Sequence, residues 1–132
     1  METLMNGVVH DPHIPSPLTP TVFYILLALV DGERHGYGIM QEINMRTAGS
    51  VRMGPGTLYG SLQRMLAEKL IEEAGERPDP RSGDERRRYY RLSPSGRQAV
   101  HMEALRLAQL VRIAENKHLL FGPETKGGLA CS

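Results

Sequence analysis

The stretch that decides the fold is Val51-Arg-Met-Gly-Pro-Gly-Thr-Leu-Tyr-Gly-Ser-Leu-Gln-Arg-Met-Leu-Ala-Glu-Lys-Leu70. Gly54, Pro55 and Gly56 punctuate the chain, and a proline at the first helical position starts a helix well. Leu58, Leu62, Met65, Leu66 and Leu70 then recur at helical spacing as one apolar stripe. The opposite face carries Thr57, Tyr59, Gln63 and Arg64, side chains that hydrogen-bond or lie flat on a base or sugar. A short helix anchored by one face and presenting such an outer face has the format of an element that enters a DNA major groove. Taken alone, the stretch is explained more simply as an amphipathic helix whose polar side is merely wet. The flanking segments have to decide.

Upstream, Leu18-Thr19-Pro20 opens a first helix: Thr19 can cap, Pro20 suits the first position, and Leu18 can staple to Phe23. Val22, Ile25, Leu26 and Leu29 follow, and Asp31-Gly32 stops the run. This helix is apolar nearly all round, which predicts the most buried one. After the short polar break Glu33-Arg34, His35-Gly36-Tyr37-Gly38 leads into Ile39, Met40 and Ile43, a second helix from about Gly36 to Arg46. Its two early glycines weaken it intrinsically. They make sense where backbone comes close, either to a neighbouring helix or to a phosphate at the helix N-terminus. His35 reads as a capping or packed histidine, with no Ser, Cys or acid placed to work with it. Thr47 to Pro55 is a short turn. Two helices joined by a short Gly-containing connection, the second with a polar outer face, match a helix-turn-helix.

Downstream, Ile71 to Ala74 is a short strand candidate, and Glu76 to Glu85, with Pro78, Pro80 and Gly83, reads as a loop. Arg86 to Leu92 is a second strand, with Arg87, Tyr89 and Arg91 on one side and Arg88, Tyr90 and Leu92 on the other. A hairpin directly after such a helix is a wing. Residues 76–97 hold seven arginines against four carboxylates, while the rest of the chain is net negative. Arginine suits phosphate and, at a loop tip, a minor groove. The competing reading is a solvated charge run in which about half of these arginines pair with Glu72, Glu73 and Glu85, as surface charges do.

Ser93-Pro94 starts a last helix running to about Leu120. Val100, Ala104, Leu107, Val111 and Ala114 fall at heptad spacing, and Leu105, Leu110 and Ile113 widen the stripe. About 27 helical residues span roughly 40 Å, longer than so small a domain needs. The economical partner is a second copy, giving a two-fold homodimer. The alternative is that the helix only folds back on the first one.

The totals bound the rest. The chain has 132 residues, net charge +1 and 40% apolar residues, enough for one modest core. It contains no run of about 18 apolar residues and no signal-peptide pattern, so no membrane span is expected and the cytoplasm is the expected location. The single Cys131 excludes an intramolecular disulfide and fits a reducing compartment. Residues 1–17 read as a flexible arm and 121–132 as a flexible tail. The arm's His10-Asp11-Pro12-His13 offers an incomplete ligand set broken by proline, so no metal is expected. The five histidines fall in separate segments, no phosphate-binding motif completes itself, and no cofactor or enzyme activity is expected.

The sequence resembles the PadR family of transcriptional regulators. The resemblance rests on Leu18-Thr-Pro20, His35-Gly-Tyr-Gly-Ile39, Pro55-Gly-Thr-Leu-Tyr59, Leu66-x-x-x-Leu70-Ile-Glu72 and Arg88-Tyr-Tyr-Arg-Leu-Ser-Pro-Ser-Gly96, and covers about residues 18–118. It implies a mainly α fold with a small β-hairpin. A winged helix-turn-helix would occupy 18–93, and a long helix over 94–120 would dimerise through Val100, Ala104, Leu107, Val111 and Ala114. It implies a repressor of an inverted-repeat operator in double-stranded DNA, often near its own gene. Tyr37, Thr57, Tyr59, Gly60, Gln63 and Arg64 would meet DNA, and the wing would supply Arg81, Arg86 and Arg87. The family often has proline where this chain has Gly60. Some members release DNA when a small molecule binds; Met40, Met102 and Leu105 could line such a space, although each taken singly reads more simply as core. The competing classes are a non-catalytic dimerisation or adaptor protein on the same scaffold, and an RNA-binding winged helix.

Overall fold

The computed structural model describes residues 17–78 and 86–120. Its elements are α1 (Pro20–Leu29), β1 (Arg34–His35), α2 (Gly36–Arg46), α3 (Pro55–Ala67), β2 (Ile71–Pro78), β3 (Arg86–Leu92) and α4 (Pro94–Asn116). Nearly all of the expected arm, the whole expected tail, His10, His13, Cys131 and Arg81 lie outside the described residues. The chain divides into two units, one up to His101 and one from Met102.

The helix starts follow local chemistry. The Thr19 hydroxyl accepts the Val22 N–H at 3.3 Å and Pro20 takes the first turn of α1. At α2 the cap is a histidine: Nδ1 of His35 accepts the Gly38 N–H at 3.0 Å. Helix α3 starts after Gly54 with Pro55 in its first turn and no side-chain cap. Three helices end alike. The Gly49 N–H reaches the Asn44 carbonyl, Leu70 reaches Met65 and Leu119 reaches Ala114. The residue before each acceptor's partner, Ala48, Lys69 and His118 respectively, takes positive φ. This closing turn satisfies the last carbonyls and is usually built on glycine.

The first unit buries one core. Ile25, Leu26 and Leu29 of α1, Ile39 and Ile43 of α2, and Leu58, Leu62 and Met65 of α3 meet Leu70, Ile71, Tyr90, Leu92, Ala99 and Val100. Each of the larger aliphatic side chains contributes about 1.5–3 kcal/mol by leaving water. Helix α1 is not buried all round, however: Leu27 faces outward, as does Val30 just after the helix.

The sheet is antiparallel in the order β1-β3-β2. Strand β2 runs to Pro78 instead of ending near Ala74, because a bulge between Glu73 and Glu76 absorbs Gly75 at φ +95°. The polar break expected at Glu33-Arg34 is partly a strand: Arg34 pairs with Tyr90 and His35 with Tyr89. At the base of the hairpin, the Leu70 carbonyl accepts the Ser93 N–H at 3.1 Å. The Ser93 hydroxyl donates to the Lys69 carbonyl at 2.6 Å and accepts the Gly96 N–H at 3.0 Å. Gly96 is pressed so closely here that a Cβ would overlap the Leu70 carbonyl oxygen.

Helix α4 ends at Asn116, short of Leu120, because His118 turns left-handed just after it. Val100, expected at the dimer seam, is 6% exposed and belongs to its own chain's core. In the second unit Ala104 is exposed, and Leu107 and Ala114 are partly covered. Leu105 is 58% exposed, Leu110 49%, Val111 47% and Ile113 49%. Gly96→Ala should cost about 1–3 kcal/mol by overpacking. Lys69→Gly should gain up to about 1 kcal/mol by relieving the left-handed backbone. Thermal unfolding monitored by circular dichroism reads both, with shifts of opposite sign.

Candidate nucleic-acid interface

The 3.6-residue period of α3 sends Leu58, Leu62 and Met65 into the core, and leaves Thr57, Tyr59, Gln63 and Arg64 exposed. Ser61, on the boundary, is buried, and Arg64 lies 3.4 Å from its hydroxyl. An ideal Cβ at Gly56 or Gly60 would meet nothing within 4 Å. Gly60 interrupts neither the helix nor its packing; it leaves a gap in the exposed face.

Tyr59 is held by the start of α2. A Cβ at Gly36 would stand 2.6 Å from Cζ of Tyr59, so the missing side chain is what lets the ring lie there. Of the two reasons offered for the early α2 glycines, close approach to a neighbouring helix is the one realised at Gly36. Tyr37, one residue on, is exposed, and the Arg87 guanidinium of β3 lies 5.6 Å above its ring. The first turn of α2 is thus where α3 and the wing both touch, and Tyr37, Tyr59 and Arg87 come together around it.

The wing arginines divide. Arg77 donates to Glu33 at 2.6 Å, Arg88 approaches Glu76 at 3.4 Å and Glu73 at 3.7 Å, and Arg91 bonds Glu72 at 3.0 Å. The pairing expected for part of the charge run is real, although Glu33 is a partner that local sequence did not offer. Arg86 donates to the Glu76 carbonyl at 3.0 Å. Arg77's hydrogen bond, ahead of every other cause, holds the Glu33 carboxyl below its ordinary range. The pairing is therefore complete at neutral pH and is lost only as pH falls through that lowered value. Burial pushes the Tyr90 hydroxyl up, and the Glu73 charge raises Arg88 further.

Arg52 escaped the sequence reading because a lone arginine in a turn carries no pattern. It is exposed two residues before Gly54, where α3 begins with no side-chain cap. The candidates for a small-molecule space divide between the units. Met40 is partly buried against the first core, while Met102 and Leu105, in the second unit, are exposed. Tyr24, Leu27, Val30 and Ile43 line an apolar hollow of about 440 Å³ between α1 and α2, with Asp31, Glu42 and Arg46 on its wall. Among the described residues no three potential metal ligands gather, and no helix is long and apolar enough to cross a membrane.

Residues 25–102 match the transcriptional regulator PadR-like family, more than half of the chain. The chain belongs to this family. A transcriptional regulator of Mycobacterium tuberculosis is 35% identical over 89 residues, 67% of this chain and 77% of its own length. An uncharacterized 37.1 kDa protein of a Streptomyces fradiae transposon is 40% identical over 86 residues, 65% of this chain, but the match spans only 22% of that protein. The PadR-like regulator of Bacillus cereus superimposes with a TM-score of 0.62 at 26% identity, covering 76% of this chain and 91% of that one. Bacillus subtilis PadR, solved in complex with operator DNA, gives a TM-score of 0.55 at 23% identity, covering 64% and 46%. The fold is the PadR winged helix-turn-helix, α2 and α3 forming the helix pair and β2–β3 the wing.

Two substitutions separate the roles of the glycines. Gly60→Ala, with open space around it, should raise stability by about 0.5–1 kcal/mol. Gly36→Ala should lower the melting temperature and displace the Tyr59 ring, seen as a changed Tyr59 chemical shift by NMR.

Proposed function

We propose that this PadR-family regulator is a dimeric, sequence-specific repressor that binds an inverted-repeat operator in double-stranded DNA. The observation that carries the reading is the convergence at the first turn of α2. Tyr59 of α3 packs on Gly36, and Arg87 of the wing lies over Tyr37. One continuous surface thereby offers a helix for a major groove and a hairpin for the adjacent backbone. The operator complex of Bacillus subtilis PadR, which shares the fold, supports it.

Gln63 and Arg64 would read base edges, since amide and guanidinium groups pair bidentately with adenine and guanine. Thr57 and Tyr59 would hold phosphates, together with Arg52 and the uncapped N–H groups at the start of α3. Gly60 would let the helix approach closely. Arg81, Arg86 and Arg87 would add affinity that falls with salt. The dimer would form through Ala104, Leu107, Val111 and Ala114, with Leu105, Leu110 and Ile113 widening the contact. An exposed aliphatic row on one helix is otherwise costly in water. Two copies of α3 would then stand about 34 Å apart, one DNA turn. A small-molecule effector would regulate it by biasing its DNA-bound state. The protein would act in the cytoplasm, without catalysis or cofactor.

Fluorescence anisotropy on the DNA upstream of its own gene, against a shuffled duplex at two salt concentrations, tests the reading. Arg64→Ala should weaken the upstream DNA by about tenfold, the scale of one bidentate base contact, and leave the shuffled duplex unchanged. Equal weakening of both would make Arg64 a phosphate contact. Arg86→Glu with Arg87→Glu should abolish binding, which an adaptor protein would tolerate. Val111→Glu should convert the dimer to a monomer in sedimentation velocity; an unchanged sedimentation coefficient would remove α4 from the interface.

A further inference from the structure

Arg77 looks, by composition, like one more wing cation for phosphate. Its surroundings give it a different task. The strand order puts β3 between β1 and β2. From β2, the Arg77 side chain crosses over β3, its guanidinium 4.0 Å above the Tyr89 ring. It ends on Glu33, just before β1, at 2.6 Å, and also donates to its own strand's Ala74 carbonyl at 2.7 Å. Glu33 lies 3.7 Å from Arg91 of β3 as well. Beneath Arg77, the Tyr89 ring meets His35 edge-on at 5.2 Å, and His35 is the residue that caps α2. One unbroken chain of contacts thus runs from the outer wing strand to the first turn of the helix pair.

The ion pair is half exposed, with side-chain exposures of 41% and 37%, so it adds little to global stability. Its geometry is nonetheless specific: a planar guanidinium stacked on a ring and bonded at its far end has one orientation, which lysine cannot reproduce. We propose that Arg77, with Glu33 and Tyr89, is a positioning residue that fixes the angle of the wing on the helix-turn-helix, and does not itself contact DNA. The proposal rests on the DNA-binding reading above and assigns part of the wing's charge to shape.

The two roles for Arg77 predict opposite signs. If Arg77 were a phosphate contact restrained by Glu33, Glu33→Ala would free it and remove a negative charge, and affinity would rise. If Arg77 is a clamp, Glu33→Ala and Arg77→Ala each lower affinity by about fivefold, and the double variant is no worse than either alone. Arg77→Lys, which keeps the charge, should be as poor as Arg77→Ala. The probe is a fluorescein-labelled duplex selected from a random pool by the wild-type protein. Amide hydrogen exchange gives a second readout without DNA. In Glu33→Ala, exchange across residues 71–78 and 86–91 should quicken while α1 and α3 are unchanged. A rise in affinity for Glu33→Ala, full binding by Arg77→Lys, or unaltered wing exchange would each overturn the clamp. Failure of the wild-type protein to select any duplex would overturn the DNA-binding reading and with it the positioning role; the exchange result would still decide whether the clamp exists.

Discussion

The Leu70 carbonyl is the point on which the winged-helix unit depends. It accepts the Ser93 N–H, and Gly96 lies directly against it. The Ser93 hydroxyl bonds the Lys69 carbonyl beside it and caps the start of α4. Within four residues of chain on one side and three on the other, the end of α3, both wing strands and the first turn of α4 are fastened together. Two further features are set by this fastening. The turn that ends α3 must take Lys69 through the left-handed region to bring Leu70 round. The Ile71–Leu92 pair that opens the hairpin must also follow at once, which fixes the wing's register.

From that base the wing returns to the helix pair along its length. His35 and Tyr89 join β1 to β3, Arg77 reaches across to Glu33, and Arg87 lies over Tyr37. The wing is therefore held at both its root and its side. This explains why a segment so rich in arginine is also rich in paired carboxylates. The pairs at Arg77, Arg88 and Arg91 draw on glutamates from β2 and from just before β1, so much of the local positive charge is matched within the protein. In the proposed function Arg52, Arg86 and Arg87 are among the groups that attract phosphate. This fits a chain whose net charge is only +1.

What could be read in the sequence was what is local. Thr19-Pro20, Pro55 and Ser93-Pro94 announce helix starts because capping chemistry acts within three residues. The α3 stripe announces its buried face because periodicity is a property of one segment. Strand β1 was hidden because two residues carry no period. The length of β2 was hidden because Pro78 reads as a loop signal, whereas a bulge at Gly75 carries the pairing on and Pro78 takes the strand's last position. The end of α4 was overrun because His118, not glycine, makes the terminating turn, while Leu119 and Leu120 prolong the apolar pattern. Val100 satisfies the heptad but lies on the part of the helix that its own core already covers. At the site, the exposed face of α3 was legible. The Gly36–Tyr59 approach and the Glu33–Arg77 pair were not, since they join residues 23 and 44 positions apart and only the fold brings them together.

In the proposed function two α3 helices of one dimer enter successive major grooves. Hydroxyl-radical footprinting on both strands of a duplex selected by the wild-type protein tests it most directly. Two protected segments are expected, their centres about 10 base pairs apart and related by the two-fold symmetry of the site, with wing protection beside each. A single protected segment, or protection without two-fold symmetry, would contradict it.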